Sequence, residues 1–304
     1  IGMTFFPDDA EEPGLLIQNA DRAMYAAKEM GGSAFKFYNA ELESSWLART
    51  FIINELESAL LNGELDVHYQ PIISMSEHEH LYAEALVRWN HPERGMIPPS
   101  DFLPQAERMG MIDKIDDYVF KRVCRDLKRW QSKGTKTPHI SINRSAHNFG
   151  GQRGRLDWLA YLAELSLSSE LITLEITEST LMQKQSESRM LLHRLRDADI
   201  KIAVDDFGTG YSSLSYLKEM DVDFLKIDRS FIHDIEESEG DRAIVEAITE
   251  MAKRLDIKVI AEGVETATQA DILKNIGCHS LQGFYYSKPL PMTEFEVYMF
   301  GIDK

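Results

Sequence analysis

Short apolar runs alternate with amphipathic segments along the chain from about Leu65 onward. Most of these runs are apolar at successive positions and rich in leucine and β-branched residues, a pattern typical of strands that are covered on both faces. The pattern therefore predicts strands at LDVHYQPII, LYAEALVRW, PHISIN, LITLEI, IKIAVDD, VDFLKID, IKVIAEG and HSLQG.

The segments between these runs carry apolar residues three and four positions apart, which predicts amphipathic helices. The clearest are DKIDDYVFKRVCRDLKRWQSKG, which ends in Gly134 as an expected C-cap, DRAIVEAITEMAKRLD and ATQADILKNIG. Strand and helix alternate about eight times, and this alternation predicts an α/β fold, a (β/α)8 barrel. A doubly wound open sheet is the alternative, because eight strands do not by themselves prove that a sheet closes.

The first forty residues have a different pattern. LLIQNADRAMYAAKEMGGSAFKFYN predicts a helix, a glycine turn and a short strand, and AELESSWLARTFIINELESALLNG predicts a second helix that leads into the barrel. We interpret the first segment as a remnant of a neighbouring α/β domain that is joined to the barrel by a helix. Because the chain starts at Ile1 and not at Met, we expect it to be a piece of a longer protein.

The charge of the chain excludes one class of partner. The formal net charge is −17, whereas a nucleic-acid polymer would need a broad basic surface. A small anionic ligand is compatible with this charge if cations collect at one site. No apolar run is long enough to span a bilayer, and the N-terminus lacks a signal-peptide pattern. Together with two isolated cysteines, Cys124 and Cys278, this predicts a cytoplasmic fragment without membrane contact, although a longer protein could be anchored upstream.

Oxygen ligands or charges follow almost every predicted strand, at the edge where a barrel places its active site. A single acid after a strand is more often a solvated surface carboxylate, but a series at one edge could not stay ionised without divalent cations. Oxygen ligands without His or Cys indicate Mg²⁺ or Mn²⁺. The series is Glu84 and Arg88, Asn143, Glu175 and Glu178, Asp205 and Asp206, Lys226 and Asp228, Glu262 and Glu265, and Gln282.

Several members of this series favour displacement at phosphorus. Adjacent Asp205 and Asp206 could share two ions, and a two-ion site both prepares a water and stabilises charge on the phosphate oxygens. Lys226 is either an ion-pair partner that reduces repulsion or a group that orients or deprotonates the attacking water. Arg88 has the fork geometry for a phosphate oxygen. The loop FGTGYSS directly after the aspartates is predicted to be mobile or regulatory.

The motifs YQPI, EALVRW, EITE, DDFGTGYSSL, KID, AEGVE and QGFYYSKP occur in this order. In this order they resemble the EAL domain, the bacterial phosphodiesterase of cyclic di-GMP, over residues 52–300. The resemblance implies a modified TIM barrel with an antiparallel first strand. It implies hydrolysis of cyclic di-GMP to linear 5′-pGpG with two Mg²⁺ or Mn²⁺ ions per site, and inhibition by Ca²⁺. It also implies a homodimer formed through the loop after the aspartates.

The resemblance also implies roles for individual residues. The implied metal ligands are Glu84, Asn143, Glu175, Asp205, Asp206 and Glu262. The implied catalytic residues are Glu262, Lys226 and Gln282, the last two holding the nucleophilic water, with support from Asp228. Glu178 would anchor the loop that begins at Phe207. The implied substrate contacts are Gln70, Leu86, Arg88, Glu265 and Tyr285. One departure is Arg144, where the family usually has a leucine, and we expect it to point away from the metals.

Residues 1–39 resemble the C-terminal end of a GGDEF (diguanylate cyclase) domain without its cyclase signature. The predicted division is therefore a GGDEF-like fragment at 1–39, a linker helix at 40–51 and an EAL phosphodiesterase domain at 52–304. A catalytically silent receptor or scaffold for cyclic di-GMP that acts through dimerisation is the alternative function. A different Mg²⁺-dependent barrel enzyme, acting on a sugar phosphate or an enolate, would explain the acids but not the whole motif series.

Overall fold

The structure, a computed structural model, describes residues 1–29, 34–76, 81–134, 136–145, 156–183, 192–209, 217 and 222–301. The chain forms two compact units. The first is Ile1–Leu65 with Trp89–Met111, and the second is Asp66–Arg88 with Ile112–Lys304.

The structure has all eight predicted barrel strands and the short strand predicted near residue 36, and it adds strands at Gly2–Met3, Gly95–Ile97 and Leu290–Pro291 that the sequence pattern did not predict. They are β1 Gly2–Met3, β2 Lys36–Phe37, β3 Leu65–Ser74, β4 Tyr82–His91, β5 Gly95–Ile97, β6 His139–Asn143, β7 Ile172–Thr177, β8 Lys201–Phe207, β9 Phe224–Ile227, β10 Lys258–Ala261, β11 Ser280–Leu281 and β12 Leu290–Pro291.

The helices also follow the predicted pattern. They are α1 Pro13–Glu29, α2 Ala40–Asn62, α3 Pro99–Arg108, α4 Ile112–Ser132, α5 Trp158–Glu164, α6 Glu178–Gln183, α7 Ser230–His233, α8 Glu239–Arg254, α9 Ala267–Ile276 and α10 Met292–Phe300, with one 3₁₀ turn at Ser169–Leu171. Gly134, the expected C-cap residue, follows α4 in the left-handed conformation with a φ of 68°. None of the described helices is both long and apolar enough to cross a membrane.

The first unit is a small α/β body. Its strands β1 and β2 form a parallel pair, and α1 packs on both. The N-cap residue Asn39 starts α2 by accepting a hydrogen bond from the Leu42 N–H, and Gly63 ends the helix with a φ of 75°. The predicted boundary after residue 51 falls inside α2, which is continuous from Ala40 to Asn62. The predicted domain boundaries stay a prediction.

The second unit is built on a closed eight-stranded barrel. The strand order is β3-β11-β10-β9-β8-β7-β6-β4, and the pairing of β3 with β4 closes the sheet. All pairs from β4 round to β11 are parallel, whereas β3 runs antiparallel to β11. The closed barrel with an antiparallel first strand is therefore confirmed, and the open sheet is wrong.

The barrel strands are covered on both faces, as their sequence predicts. Ile140, Ile142, Ile172 and Leu174 are fully buried on adjacent strands. The amphipathic face of α4 is buried at three- and four-residue spacing, at Ile112, Ile115, Asp116, Val119, Phe120, Val123, Leu127 and Trp130. This rigid framework fixes the positions of the strand ends.

Candidate active site

The parallel register brings polar residues from neighbouring strands side by side. Asn143 on β6 pairs with Glu175 on β7, and Glu84 on β4 pairs with Ser141 on β6. The barrel strands β4, β6, β7, β8, β9, β10 and β11 are parallel to one another, whereas the short β5 pairs antiparallel with β4. The residues towards the C-terminal ends of the parallel strands therefore meet at one mouth of the barrel.

Lys226 on β9 lies at the centre of this mouth with its side chain 1% exposed. Its Nζ is 2.6 Å from Glu262 Oε1 and 2.7 Å from Glu175 Oε2. Glu84 Oε2 and Asp205 Oδ1 are farther, at 3.3 and 3.4 Å. One buried ammonium thus contacts four carboxylates from β4, β7, β8 and the residue after β10.

The shifts in pKa show how incompletely one ammonium balances these acids. Burial raises the pKa of Glu262 to about 8, and burial together with Glu84 raises the pKa of Glu175 well above its usual range. Burial also opposes ionisation of Glu84, but the Lys226 ammonium and hydrogen bonds from Gln282 and Asn143 outweigh it, so its pKa is lowered. Burial disfavours charged Lys226, yet the surrounding carboxylates hold its pKa well above the usual range. The cluster therefore retains protons that further positive charge would release.

A layer of amides surrounds Glu84. Asn143 Nδ2 donates to Glu84 Oε1 at 2.7 Å, and Gln282 Nε2 donates to Glu84 Oε2 at 2.7 Å. Gln282 Nε2 also lies 3.2 Å from Gln70 Oε1, and Gln70 donates to the Ser287 carbonyl at 3.1 Å. The predicted residues from β3, β4, β6 and the turn after β11 therefore form one hydrogen-bonded set.

Asp206 and Asp228 lie at the edge of this cluster. The β8–β9 register shifts between Val204 and Phe207, and Asp206 has a φ of 55°, which turns its exposed side chain out of the strand alternation. Burial and the neighbouring Asp205 and Asp228 raise the pKa of Asp206. Asp228 Oδ1 accepts a hydrogen bond from the Ser230 N–H at 3.0 Å, at the start of α7.

Glu178 holds the residue at which the chain leaves β8. Its Oε2 accepts a hydrogen bond from the Gly208 N–H at 3.0 Å. A Cβ on Gly208 would lie 2.8 Å from the Phe231 ring, and the φ of 99° also favours glycine. Most of the FGTGYSS loop beyond Thr209, including its predicted dimer contact, lies outside the described residues.

The expected substrate contacts differ in their exposure to solvent. Arg88 is half-buried and donates from Nη1 to the Val87 carbonyl at 2.8 Å, and burial lowers its pKa. Leu86 is also half-buried, and Glu265 is exposed. Tyr285 is 47% exposed and packs edge-on against Tyr286 at 5.0 Å between ring centroids.

A buried acid on α4, Asp116, was missed by the sequence reasoning. Asp116 on α4 accepts a hydrogen bond from the Ser145 N–H at 3.1 Å, and burial raises its pKa to about 7. Arg144, expected to point away from the metals, stacks its guanidinium 4.2 Å from the Trp158 ring. The available signal was that Asp116 occupies an apolar position of the α4 periodicity, next to Ile112, Ile115, Val119 and Phe120.

The donor chemistry of the mouth fits a hard cation. Within the described residues, Glu175 Oε1 and Gln282 Oε1 are buried without a hydrogen-bond partner, and oxygen atoms dominate the donor set. In the same part of the chain, no group of three or more His, Cys, Asp and Glu residues is arranged as a metal site. The Lys226 ammonium contacts the carboxylate oxygens that such a site would use.

Comparison with known proteins places this site in a family. The EAL domain family matches residues 53–289. The chain belongs to the EAL domain family. The cyclic di-GMP phosphodiesterase NbdA of Pseudomonas aeruginosa is 38% identical over 98% of the chain and 38% of its own length. The cyclic di-GMP phosphodiesterase PdeR of Escherichia coli is 35% identical over 97% of the chain and 44% of its own length.

Solved EAL structures share the fold of this EAL domain. The PaMucR phosphodiesterase in complex with c-di-GMP superposes with a TM-score of 0.76 and 39% identity, over 81% of this chain and 99% of that one. The EAL enzyme Bd1971 in its cGMP-bound form gives a TM-score of 0.73 and 32% identity, over 83% of this chain and 70% of that one. The chain spans about two-fifths of the length of the curated relatives NbdA and PdeR.

Proposed function

We propose that this EAL domain is a phosphodiesterase that hydrolyses cyclic di-GMP to linear 5′-pGpG. The observation that carries the proposal is the set of carboxylates of Glu84, Glu175, Asp205 and Glu262 around Lys226 at the barrel mouth. Relatives named as cyclic di-GMP phosphodiesterases match nearly the whole chain, and PaMucR was solved with c-di-GMP.

The proposed cofactors are two Mg²⁺ or Mn²⁺ ions. When bound, they would supply Lewis-acid stabilisation of charge on the phosphate oxygens and lower the pKa of a coordinated water. The orphaned Glu175 Oε1 and the raised pKa values of Glu175 and Glu262 support this assignment, since carboxylates that resist ionisation beside one ammonium gain from further positive charge. The residues that would hold the ions are Glu84, Asn143, Glu175, Asp205, Asp206 and Glu262.

The chain's own residues would position the water and take its proton. Lys226 and the amide of Gln282 both contact Glu84, so a water beside Glu84 would be held from two sides. The Glu262 carboxylate lies 2.6 Å from the Lys226 ammonium, and in its ionised form it would take up the proton of the water. The water oxygen bonds to phosphorus, the P–O3′ bond breaks, and the leaving 3′ oxygen takes up a proton to give one 5′-phosphate and one 3′-hydroxyl.

The substrate would be oriented at the rim of the mouth. Arg88 has the geometry for a phosphate oxygen, and the exposed ring of Tyr285 offers a face for a guanine base. Gln70, Leu86 and Glu265 are the further proposed contacts. Glu178 would anchor the loop after β8 through Gly208, and Asp228 would support the water-holding residues from the start of α7.

The proposed division of the chain is a GGDEF-like fragment at residues 1–39, a linker helix at 40–51 and the EAL domain at 52–304, with assembly as a homodimer. The family match begins at residue 53, whereas the bifunctional diguanylate cyclase/cyclic di-GMP phosphodiesterase MucR of Pseudomonas aeruginosa is 38% identical over 97% of the chain. The likeness to MucR therefore extends into the first 52 residues and supports a GGDEF-like origin of residues 1–39.

The test is incubation of the purified chain with cyclic di-GMP and Mg²⁺ or Mn²⁺, followed by chromatography. We expect 5′-pGpG to appear and EDTA to stop its formation.

Glu84→Ala should abolish hydrolysis without unfolding the barrel, because it removes one charge from a mouth with excess acid. The control Glu250→Ala, at an exposed position, should behave as the unmodified chain.

The receptor function is the alternative that this experiment separates. If cyclic di-GMP binds the chain but stays intact with Mg²⁺ and also with Mn²⁺, the receptor function is favoured. Normal turnover by Glu84→Ala would contradict the proposed ligand assignment.

A further inference from the structure

The basic side chains of the first 64 residues gather around one cavity of the first unit. The cavity has a volume of about 330 Å³ and is lined by parts of α1, β2 and the first turns of α2, including Arg22, Lys36 and Arg49. The fourth base, Lys28, has its Nζ 5.5 Å from the ring centroid of Tyr25, which also lines the cavity.

Acids of the same segment outnumber its bases by eleven to four. Among them, Glu41 lines the cavity, and Glu43 is engaged by Arg22 at 3.2 Å. Basic residues are therefore concentrated at this cavity although acids are much more frequent here, namely Asp8, Asp9, Glu11, Glu12, Asp21, Glu29, Glu41, Glu43, Glu55, Glu57 and Glu64.

Aromatic faces accompany these cations. Trp46 and Tyr25 line the cavity and are 37% and 61% exposed. The Arg22 guanidinium lies 4.5 Å from the centroid of the Trp46 ring, and it is held there by hydrogen bonds to Asn19 and Glu43. The Lys36 ammonium has no ion-pair partner in the described part of the chain. Stacking faces beside cations are the combination that binds a planar base together with a phosphate.

We propose that this cavity binds a nucleoside monophosphate, with the base against Trp46 and Tyr25 and the phosphate among Lys36, Arg49 and Arg22. A volume of about 330 Å³ is at the lower end of the range for small-molecule sites, so it suits one nucleotide. The described residues that line the cavity all belong to the first unit, and the proposal does not depend on catalysis in the barrel.

The test uses Trp46 as its own reporter. The other tryptophans, Trp89, Trp130 and Trp158, are 0%, 0% and 3% exposed, and Trp46 is the one that lines the cavity. Titration of the whole chain with GMP should give a saturable change in emission, and Trp46→Phe should abolish that change. Guanosine and inorganic phosphate are titrated separately, and each should bind about tenfold or more weakly than GMP.

Charge variants provide the controls. Lys36→Gln should weaken GMP binding about tenfold, the effect of one charge-assisted hydrogen bond. Lys253→Gln, which removes an equal charge from an exposed position on α8, and Glu84→Ala in the barrel mouth should leave the titration unchanged. The proposal would be overturned by the absence of a saturable change, by equal affinity in Lys36→Gln, or by inorganic phosphate binding as tightly as GMP.

Discussion

At the residue scale, the barrel mouth concentrates negative charge around a single lysine. Lys226 is 1% exposed and is the shared partner of Glu84, Glu175, Asp205 and Glu262. The fold tolerates several buried carboxylates only while that ammonium is present, because removing it leaves their charges uncompensated.

Lys226→Met is therefore expected to abolish hydrolysis and to destabilise the metal-free chain by roughly 3–5 kcal/mol near pH 8. The pKa of Glu262, already about 8, and that of Glu175 should rise further without the ammonium. A carboxyl whose pKa is higher in the folded than in the unfolded chain makes folding less favourable as the pH rises and it ionises. The loss of stability in Lys226→Met should therefore be smaller at pH 5 than at pH 8. Urea unfolding at both pH values tests this, with Lys253→Met as the control. Equal stability of the variant and the unmodified chain at pH 8 would contradict it.

A second residue, Asp116, gives the fold a pH dependence away from the mouth. Its folded-state pKa is raised from 3.8 to about 7 by burial, so its contribution to stability is fully present below about pH 4 and is lost as the pH rises to 7. Asp116→Asn keeps an oxygen acceptor for the Ser145 N–H and cannot ionise. We expect this variant to be more stable than the unmodified chain at pH 8, by at most about 4 kcal/mol.

The measurement for Asp116 is urea unfolding at pH 5 and pH 8, with the exposed Asp271→Asn as a matched control. The difference between pH 5 and pH 8 should shrink in Asp116→Asn and persist in Asp271→Asn. An unchanged difference in Asp116→Asn would show that this carboxyl ionises freely in the folded chain.

At the element scale, the turns after β10 and β11 are fastened to each other. The Val264 N–H donates to the Gln282 carbonyl at 3.1 Å, and the Tyr285 N–H donates to the Val264 carbonyl at 2.9 Å. Gly283 lies at this contact, where an added Cβ would be 2.0 Å from the Val264 carbonyl oxygen. These backbone contacts set the positions of Glu262, Gln282 and Tyr285 relative to one another.

Gly283→Ala should therefore destabilise the chain by about 2–4 kcal/mol, since backbone would have to shift. Gly277→Ala is the comparison: its φ of 99° is unfavourable for alanine, but a Cβ there meets nothing within 4 Å, so the cost should be about 1 kcal/mol. Urea unfolding measures both. A Gly283→Ala variant no less stable than Gly277→Ala would show that the two turns are not tightly joined.

At the scale of the whole molecule, the proposed ligands come from β4, β6, β7, β8 and the residue after β10, so one site connects most of the closed barrel. A ligand that binds only the folded chain raises the unfolding temperature by mass action. Mn²⁺ should therefore raise the midpoint of thermal unfolding of the whole barrel, by several degrees at saturation, which corresponds to about 2–3 kcal/mol at a hundredfold excess over Kd.

The shift is measured by calorimetry with EDTA and with Mn²⁺ at equal ionic strength. Glu84→Ala should lose most of the shift and Glu250→Ala should keep it. A shift of equal size in both variants would place the ion elsewhere on this acidic surface, whose net charge is −17.

Local patterns along the chain were enough to predict most of the strands and helices and the edge of the barrel at which the chemistry lies. Buried parallel strands read as apolar runs, and parallel strands present their C-terminal ends at one edge, so Glu84, Glu175 and Asp205 could be assigned to one mouth before their contacts were known. The helix α4 and the turn at Gly134 were equally predictable, because spacing and glycine conformation are local properties.

Which side chains meet follows from contacts between distant parts of the chain. Closure of the barrel depends on the pairing of β3 with β4 and β11, and the exposed orientation of Asp206 depends on an irregular β8–β9 register. The contact of Asp116 with Ser145 joins residues 29 positions apart, and the bases at 22, 36 and 49 share a cavity only because α1, β2 and α2 pack together. Register and packing arise from interactions between distant segments, which a local pattern along the chain does not encode.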